Sequence, residues 1–159
     1  MPRRGQAKVK KVKPDPIYGS VVLSKLINSI MRSGKKSVAE KQVYKALEIV
    51  KEKENTEPLH VFKQALDNIR PSMEVKTRRV GGAAYQVPTP VRGRRKESLA
   101  IRWLISESRA KSNSEFHTFA DKLASEIIDA SKGEGGAMKK KIDTEKQAEA
   151  NRAFSHFRW

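Results

Sequence analysis

The chain has 159 residues, no cysteine and a formal charge of +16. One domain of that length buries roughly 70% of its unfolded surface, so it needs no disulfide or metal to fold, and the lack of Cys excludes Cys-based zinc and iron–sulfur sites. The apolar runs fall short of a bilayer span and the opening MPRRGQAKVKKVKPDP has no apolar secretory core, so a soluble, non-secreted protein with no membrane partner is expected.

Residues 1–13 hold six Lys or Arg and no acid, show no apolar periodicity and run into Pro14 and Pro16. They read as the main part of a basic extended arm over residues 1–16, mobile until a partner holds it. From about Ile17 to Ser33, Leu23, Leu26, Ile27 and Ile30 follow helical spacing, with Gly34 as a stop. A second helix over Ser37–Lys53 has Ala39, Val43, Ala46, Leu47 and Val50 as its buried stripe. Thr56 is the expected N-cap of a third helix. That helix carries Pro58 in its first turn and Leu59, Phe62, Ala65, Leu66 and Ile69 on its inner face, and it ends at Pro71.

The period then changes to two. Met73, Val75 and Thr77 alternate with Glu74, Lys76 and Arg78, Gly81-Gly82 follow, and Tyr85 and Val87 alternate with Gln86. This is a hairpin over about residues 72–90: Gly-Gly supplies the positive φ angles of a tight turn, and Pro88 and Pro90 are expected to end the second strand. A two-stranded ribbon is barely stable alone, so it must lean on helices or on a partner.

Helical spacing resumes near Arg94, with Leu99, Trp103 and Leu104 inward and Arg102 and Arg109 outward. Ser112-Asn-Ser-Glu115 is read as a capping box opening a fifth helix lined by Phe116, Phe119, Ala120, Leu123 and Ile127. GEGG at 133–136 interrupts it. A weaker C-terminal helix and tail follow over about 134–159, with Met138 and Ile142 as the only large apolar residues before Phe154. The fold class expected is mainly α within a single domain over 1–159: a six-helix, bundle-like body with one β-ribbon between helices three and four.

Enzymatic constellations are thin. His60, His117 and His156 lie far apart with no metal-ligand spacing, so no metal site and no cofactor are expected. Ser33-Gly34-Lys35-Lys36 fails the phosphate-loop pattern, which would need Gly at position 29 and Ser or Thr at position 36. No Ser sits in a nucleophile-elbow context, so no catalytic residues are assigned.

The charge is concentrated. Residues 1–13 contribute +6 and residues 70–96 contribute +7, so thirteen of the sixteen net charges sit in two segments. Such clustering repels itself unless a polyanion neutralises it, which points to nucleic acid. A slim ribbon places Lys76, Arg78 and Arg79 against a phosphate backbone. Arg92, Arg94 and Arg95 fall at the start of the next helix, where free N–H groups also favour phosphate. Glu97, the nearest acid, is placed to neutralise only one of them. For Tyr85, packing on its own scaffold is favoured over stacking on a base.

IYGSVVLSKLINSIMRSGKKSVAEK, RRVGGAAYQVP followed by RGRRKESLAIRWL, and the closing EANRAFSHFRW occur in this order. Through them, essentially the whole chain resembles the bacterial type of small-subunit ribosomal protein seven. The resemblance implies a primary binder of the 3′ major domain of small-subunit rRNA that nucleates head assembly in the cytoplasmic ribosome. It also implies a position at the subunit interface near exit-site tRNA, with mRNA as a further partner and contacts to ribosomal proteins nine and eleven. By segment, rRNA binding is implied for Arg3, Arg4, Lys8, Lys10, Lys11, Lys13, Lys35, Lys36, Lys76, Arg78, Arg92, Arg94, Arg95 and Lys96. The vicinity of exit-site tRNA is implied for Arg79, Gly81, Gly82 and Ala83 at the ribbon tip and for Lys139, Lys140 and Lys141 on the last helix. The rival reading is a histone-like DNA-bending protein, which also uses basic ribbons but wedges a proline between base pairs.

Overall fold

A computed structural model of the chain describes residues 11–158. Helices α1 (Val21–Ile30), α2 (Lys36–Glu54) and α3 (Pro58–Ile69) lead into strands β1 (Met73–Val80) and β2 (Ala83–Pro90). Helices α4 (Arg94–Ala110), α5 (Phe119–Ser131) and α6 (Gly135–Ala150) follow, with a closing 3₁₀ turn over Arg152–Phe157. The expected helical body with a ribbon between the third and fourth helices is therefore observed.

α5 is the hub, packing against α2, α3, α4 and α6. Its Leu123 and Ile127 join Phe62 and Leu66 of α3, Leu47 of α2, Leu26 of α1 and Leu104 of α4, all essentially fully buried. Each such side chain contributes about 1.5–3 kcal/mol when buried, so this shared core holds the helices together without the ribbon.

α1 is shorter than its periodicity suggests. The Asp15 carboxylate accepts hydrogen bonds from the N–H groups of Ile17 and Tyr18 at 3.2 and 3.0 Å, which makes a turn where helix was expected. Asp15 is itself buried, and Tyr44 on α2 donates to it at 2.7 Å. Burial, followed by this hydrogen bond, raises the Tyr44 hydroxyl above its ordinary range. The helix then starts from Ser20, whose side chain caps the Leu23 N–H. At its other end Arg109 of α4 donates to the Ile30 carbonyl at 3.0 Å, so the helix stops four residues before Gly34.

Two further local expectations are corrected. Glu57, not Thr56, occupies the N-cap of α3, with no side-chain cap and Pro58 as the first helical residue. The capping box of α5 is Thr118 with Asp121, not Ser112 with Glu115. Buried Lys122 donates to the Lys111 carbonyl and, at 2.6 Å, to Asn113 Oδ1, pulling residues 111–113 back against α5 as a loop.

In the ribbon, Val80 pairs with Ala83 across Gly81 and Gly82, whose φ angles of 58° and 89° suit a tight two-residue turn. The prolines lie within β2 rather than after it. Val91 donates to the Ser72 carbonyl, and alternation along the ladder from that pair puts Pro88 opposite Val75, and Pro90 opposite Met73, at non-hydrogen-bonded pairs where no N–H is required.

The ribbon leans on the C-terminal elements. Glu145 of α6 accepts from the Ser72 N–H and hydroxyl at 2.8 and 2.7 Å, and Gln147 donates to Gln86 at 3.0 Å. Tyr85 packs between Phe154 and Phe157, with ring centroids 5.3 and 5.1 Å away, as expected of a tyrosine seated on its own scaffold. α6 buries little apolar surface: Ala137 and Ala148 are buried, while Ile142 is exposed. Close approach compensates. A β-carbon at Gly136 would lie 2.7 Å from Glu107 Oε2 on α4. The buried Glu126 of α5 accepts the Ala137 N–H at 2.8 Å, and Lys111 Nζ stands 3.1 Å from its other oxygen without hydrogen-bond alignment.

Candidate nucleic-acid interface

The basic residues fall into two kinds, those tied to their own chain and those left over. Glu74 on β1 is the only acid between residues 70 and 96, and it is buried. Arg95 grips it with Nε at 2.9 and 2.8 Å from the two oxygens and Nη2 at 2.7 Å, and Lys76 lies 3.2 Å away. The Arg95 bond, with help from Lys76 and against burial, holds the Glu74 carboxyl below its usual range. Glu97, the acid expected to meet one of these arginines, instead pairs with Lys25 of α1 at 2.8 Å. Lys36 pairs with Glu40 at 3.4 Å, Lys140 with Glu107 at 2.6 Å, and Lys141 donates to the Asn68 carbonyl at 2.7 Å. Arg95 and Lys76 thus brace the ribbon base, and Lys140 and Lys141 tie α6 to its neighbours, each with part of its donor set already engaged.

The others make no ion pair among the described residues. They are Lys11 and Lys13 before Asp15, Lys35 at the α2 N-cap, Arg78 and Arg79 on β1, Arg92 and Arg94 at the start of α4, Lys96, and Lys139 on α6. Arg3, Arg4, Lys8 and Lys10 lie outside the described residues. Arg79, Gly81, Gly82 and Ala83 form the ribbon tip. From Met73 to Arg79 is six residues, roughly 20 Å at strand rise, so base and tip present separate surfaces.

Sequence reading did not assign Lys25, Arg32, Arg102, Arg109 or Lys122 to the interface. α1 and α4 lie side by side, and a groove between them is bordered by Lys11, Lys25 and Arg94. Through Ser29 and Ser98 it adjoins a second groove holding Arg102 and Arg109, and Arg109 carries the surface on to a third walled by Arg32, Lys35 and Lys122. One basic face therefore runs from the arm, along α4, to the α1–α2 loop. The α4 arginines were legible as outward from their spacing of seven. The arrival of Arg32 beside Arg109 depends on a contact 77 residues apart in sequence and leaves no local trace.

That pair is informative. Burial first, then the neighbouring charge of Arg32, lowers the Arg109 guanidinium below its ordinary value. Arg109 meets only the Ile30 carbonyl there, and neither arginine has an acid among the described residues. Two like charges lining one groove without a counter-charge among the described residues suit an anion supplied from outside.

A family model described as Ribosomal protein S7p/S5e matches residues 2–152. The small ribosomal subunit protein uS7 of Beijerinckia indica subsp. indica is 53% identical over 159 residues, which is the whole of both chains. Proteins of the same name from Bifidobacterium longum and Carboxydothermus hydrogenoformans are 55% and 54% identical, again over the full length of each chain. The ribbon between the third and fourth helices, the basic face along α4 and these end-to-end matches agree: the chain belongs to the ribosomal protein S7p/S5e family.

Proposed function

We propose that this chain, a structural and non-enzymatic component of the small ribosomal subunit, is a primary binder of the 3′ major domain of small-subunit rRNA that nucleates assembly of the head. The face running along α1, α4 and the α1–α2 loop, together with Arg92 and Arg94 at the ribbon base, grips rRNA phosphates. The ribbon tip and Lys139 reach toward exit-site tRNA and mRNA, and ribosomal proteins nine and eleven are its protein neighbours. The observation that carries this reading is the run of cations bordering the grooves along α1, α4 and the α1–α2 loop, where Arg32 and Arg109 line one groove and neither makes an ion pair among the described residues.

The histone-like alternative gains nothing from the ribbon. Its prolines pair with Val75 and Met73 near the base, while the tip that would have to wedge between base pairs is Gly-Gly.

The experiment is a competition titration. The full chain is bound to a labelled fragment of the rRNA 3′ major domain and challenged with unlabelled fragment or with duplex DNA of equal charge. Displacement by unlabelled fragment at concentrations at least about 10³-fold below those needed of DNA supports the reading, because specific binding typically exceeds non-specific binding by that margin. Equal displacement by the two overturns it.

A further inference from the structure

We propose that the groove between α1 and α4 seats one unpaired nucleotide of the bound RNA, with its phosphate at the rim and its base inside. The inference rests on the rRNA-binding reading and adds to it a specific pocket and a ligand class.

The groove is open to solvent on one side and has a volume of about 590 Å³, enough for a nucleoside but far too small for a duplex. Two helical faces build it. Val21, Lys25 and Asn28 recur at i, i+4 and i+7 on α1, and Arg94, Glu97, Ser98 and Ile101 share one face of α4. Val12 closes one side. Val12, Val21 and Ile101 form an aliphatic wall, and Val12 and Val21 are 36% and 40% exposed, so apolar surface here remains open to water. Across the groove, the 2.8 Å Lys25–Glu97 pair cancels its own charge and leaves the interior nearly neutral.

The rim is different. Lys11 and Arg94 stand there without an acidic partner among the described residues, and Arg94 occupies the first turn of α4, where the positive end of the helix dipole adds to the attraction for an anion although the Arg95 and Lys96 N–H groups are already bonded to the Arg92 and Gly93 carbonyls. A cationic rim around an aliphatic, charge-balanced interior matches a nucleotide, anionic at its phosphate and flat and weakly polar at its base. A fatty acid or an acidic peptide side chain matches less well: the interior carries the Asn28 amide and the Ser98 hydroxyl, which make no hydrogen bond to other described side chains and can pair with a base edge. A base paired within a helix could not enter, so the nucleotide comes from a loop, bulge or single strand.

The test uses the full chain and the rRNA 3′ major-domain fragment. Val21→Trp fills the groove from an exposed position, and Asn28→Ala removes a base-edge contact from an exposed helix position. Both leave the core and the rim charges intact. With an unchanged melting curve, Val21→Trp is expected to weaken binding about tenfold, and Asn28→Ala a few-fold, while the dependence of log K on log salt keeps its slope, because no phosphate contact is lost. Chemical probing of the RNA backbone should show one unpaired nucleotide whose reactivity is altered by the wild-type protein and reverts with Val21→Trp. Should Val21→Trp fail to fold, Asn28→Ala with the same probing decides alone. Wild-type affinity for the groove variants, or a loss that changes the salt slope and leaves every nucleotide's reactivity as in the wild-type complex, overturns the pocket. Failure of the wild-type chain to prefer the fragment over duplex DNA would instead overturn the underlying reading.

Discussion

Tyr85→Ala should loosen the ribbon without unfolding the body. The ring contacts Phe154 at 5.3 Å and Phe157 at 5.1 Å, and it is the aromatic bridge between β2 and the 3₁₀ turn. Aromatic pairs at such spacing contribute about 0.5–1.5 kcal/mol each beyond the area they bury, so their loss should cost the local unit about 1–3 kcal/mol. None of these three residues belongs to the core of α1–α5, where Phe62, Leu104, Leu123 and their neighbours are essentially fully buried. The cost should therefore fall on local opening. Native-state hydrogen exchange reads this directly: amides of β1 and β2 should lose protection by roughly 5- to 150-fold, while those of α3 and α5 keep theirs. The main thermal transition should move by less than about 4 °C, the shift corresponding to about 1 kcal/mol at this size. Phe154→Ala should reproduce the pattern from the other side of the contact. If protection in α3 and α5 fell as much as in the ribbon, the ribbon would belong to the global folding unit and the reasoning would be wrong.

Three further outcomes are expected. Asp15→Ala strands the Tyr44 hydroxyl and the N–H groups of Ile17 and Tyr18, and should cost about 2 kcal/mol in denaturant unfolding; a change below about 0.5 kcal/mol would show that water replaces the carboxylate freely. Glu74 titrates below its ordinary value near 4.5, so the stability it adds is complete above that value and drains away as pH falls through the lowered one. Glu74→Gln should flatten the acid limb of the stability–pH curve below about pH 4.5, whereas an unaltered limb would assign it to Asp121 and Glu145, which are also lowered. Deleting residues 1–10 removes four of the 34 Lys and Arg and should weaken RNA binding while the melting temperature moves by less than about 4 °C; a larger drop would show that the segment packs on the body.

Much of the fold was legible because its determinants are local. The stripe of Ala39, Val43, Leu47 and Val50 marks α2, and Gly81-Gly82 between alternating residues marks the turn. The errors arise where a distant side chain takes over a backbone group. Ser112-x-x-Glu115 and Thr118-x-x-Asp121 are both plausible caps, and Lys122, reaching back to residues 111 and 113, excludes the first. The overlong α1 was trimmed by Asp15 at one end and Arg109 at the other. For the interface, sequence located the basic segments but not their pairing. Arg95 meets Glu74, 21 residues away, rather than Glu97, which is turned to α1. Glu74 did leave one trace, as the lone acid in a strongly basic stretch placed on a strand.

The central claim is that rRNA is held by the α1–α4 face and the ribbon base, with the tip kept for another partner. The most direct test titrates the rRNA fragment against three proteins over 50–200 mM salt, a range in which six to ten phosphate contacts change affinity by roughly 10³–10⁵-fold. They are the wild type, the triple variant Arg94→Ala, Arg102→Ala, Arg109→Ala, and a deletion of Gly81 to Ala84. The account predicts a log–log slope shallower by about 2–3 for the triple variant and an unchanged slope and affinity for the tip deletion. A tip deletion that abolishes binding with the fold intact, beside a triple variant that keeps the wild-type slope, would contradict it.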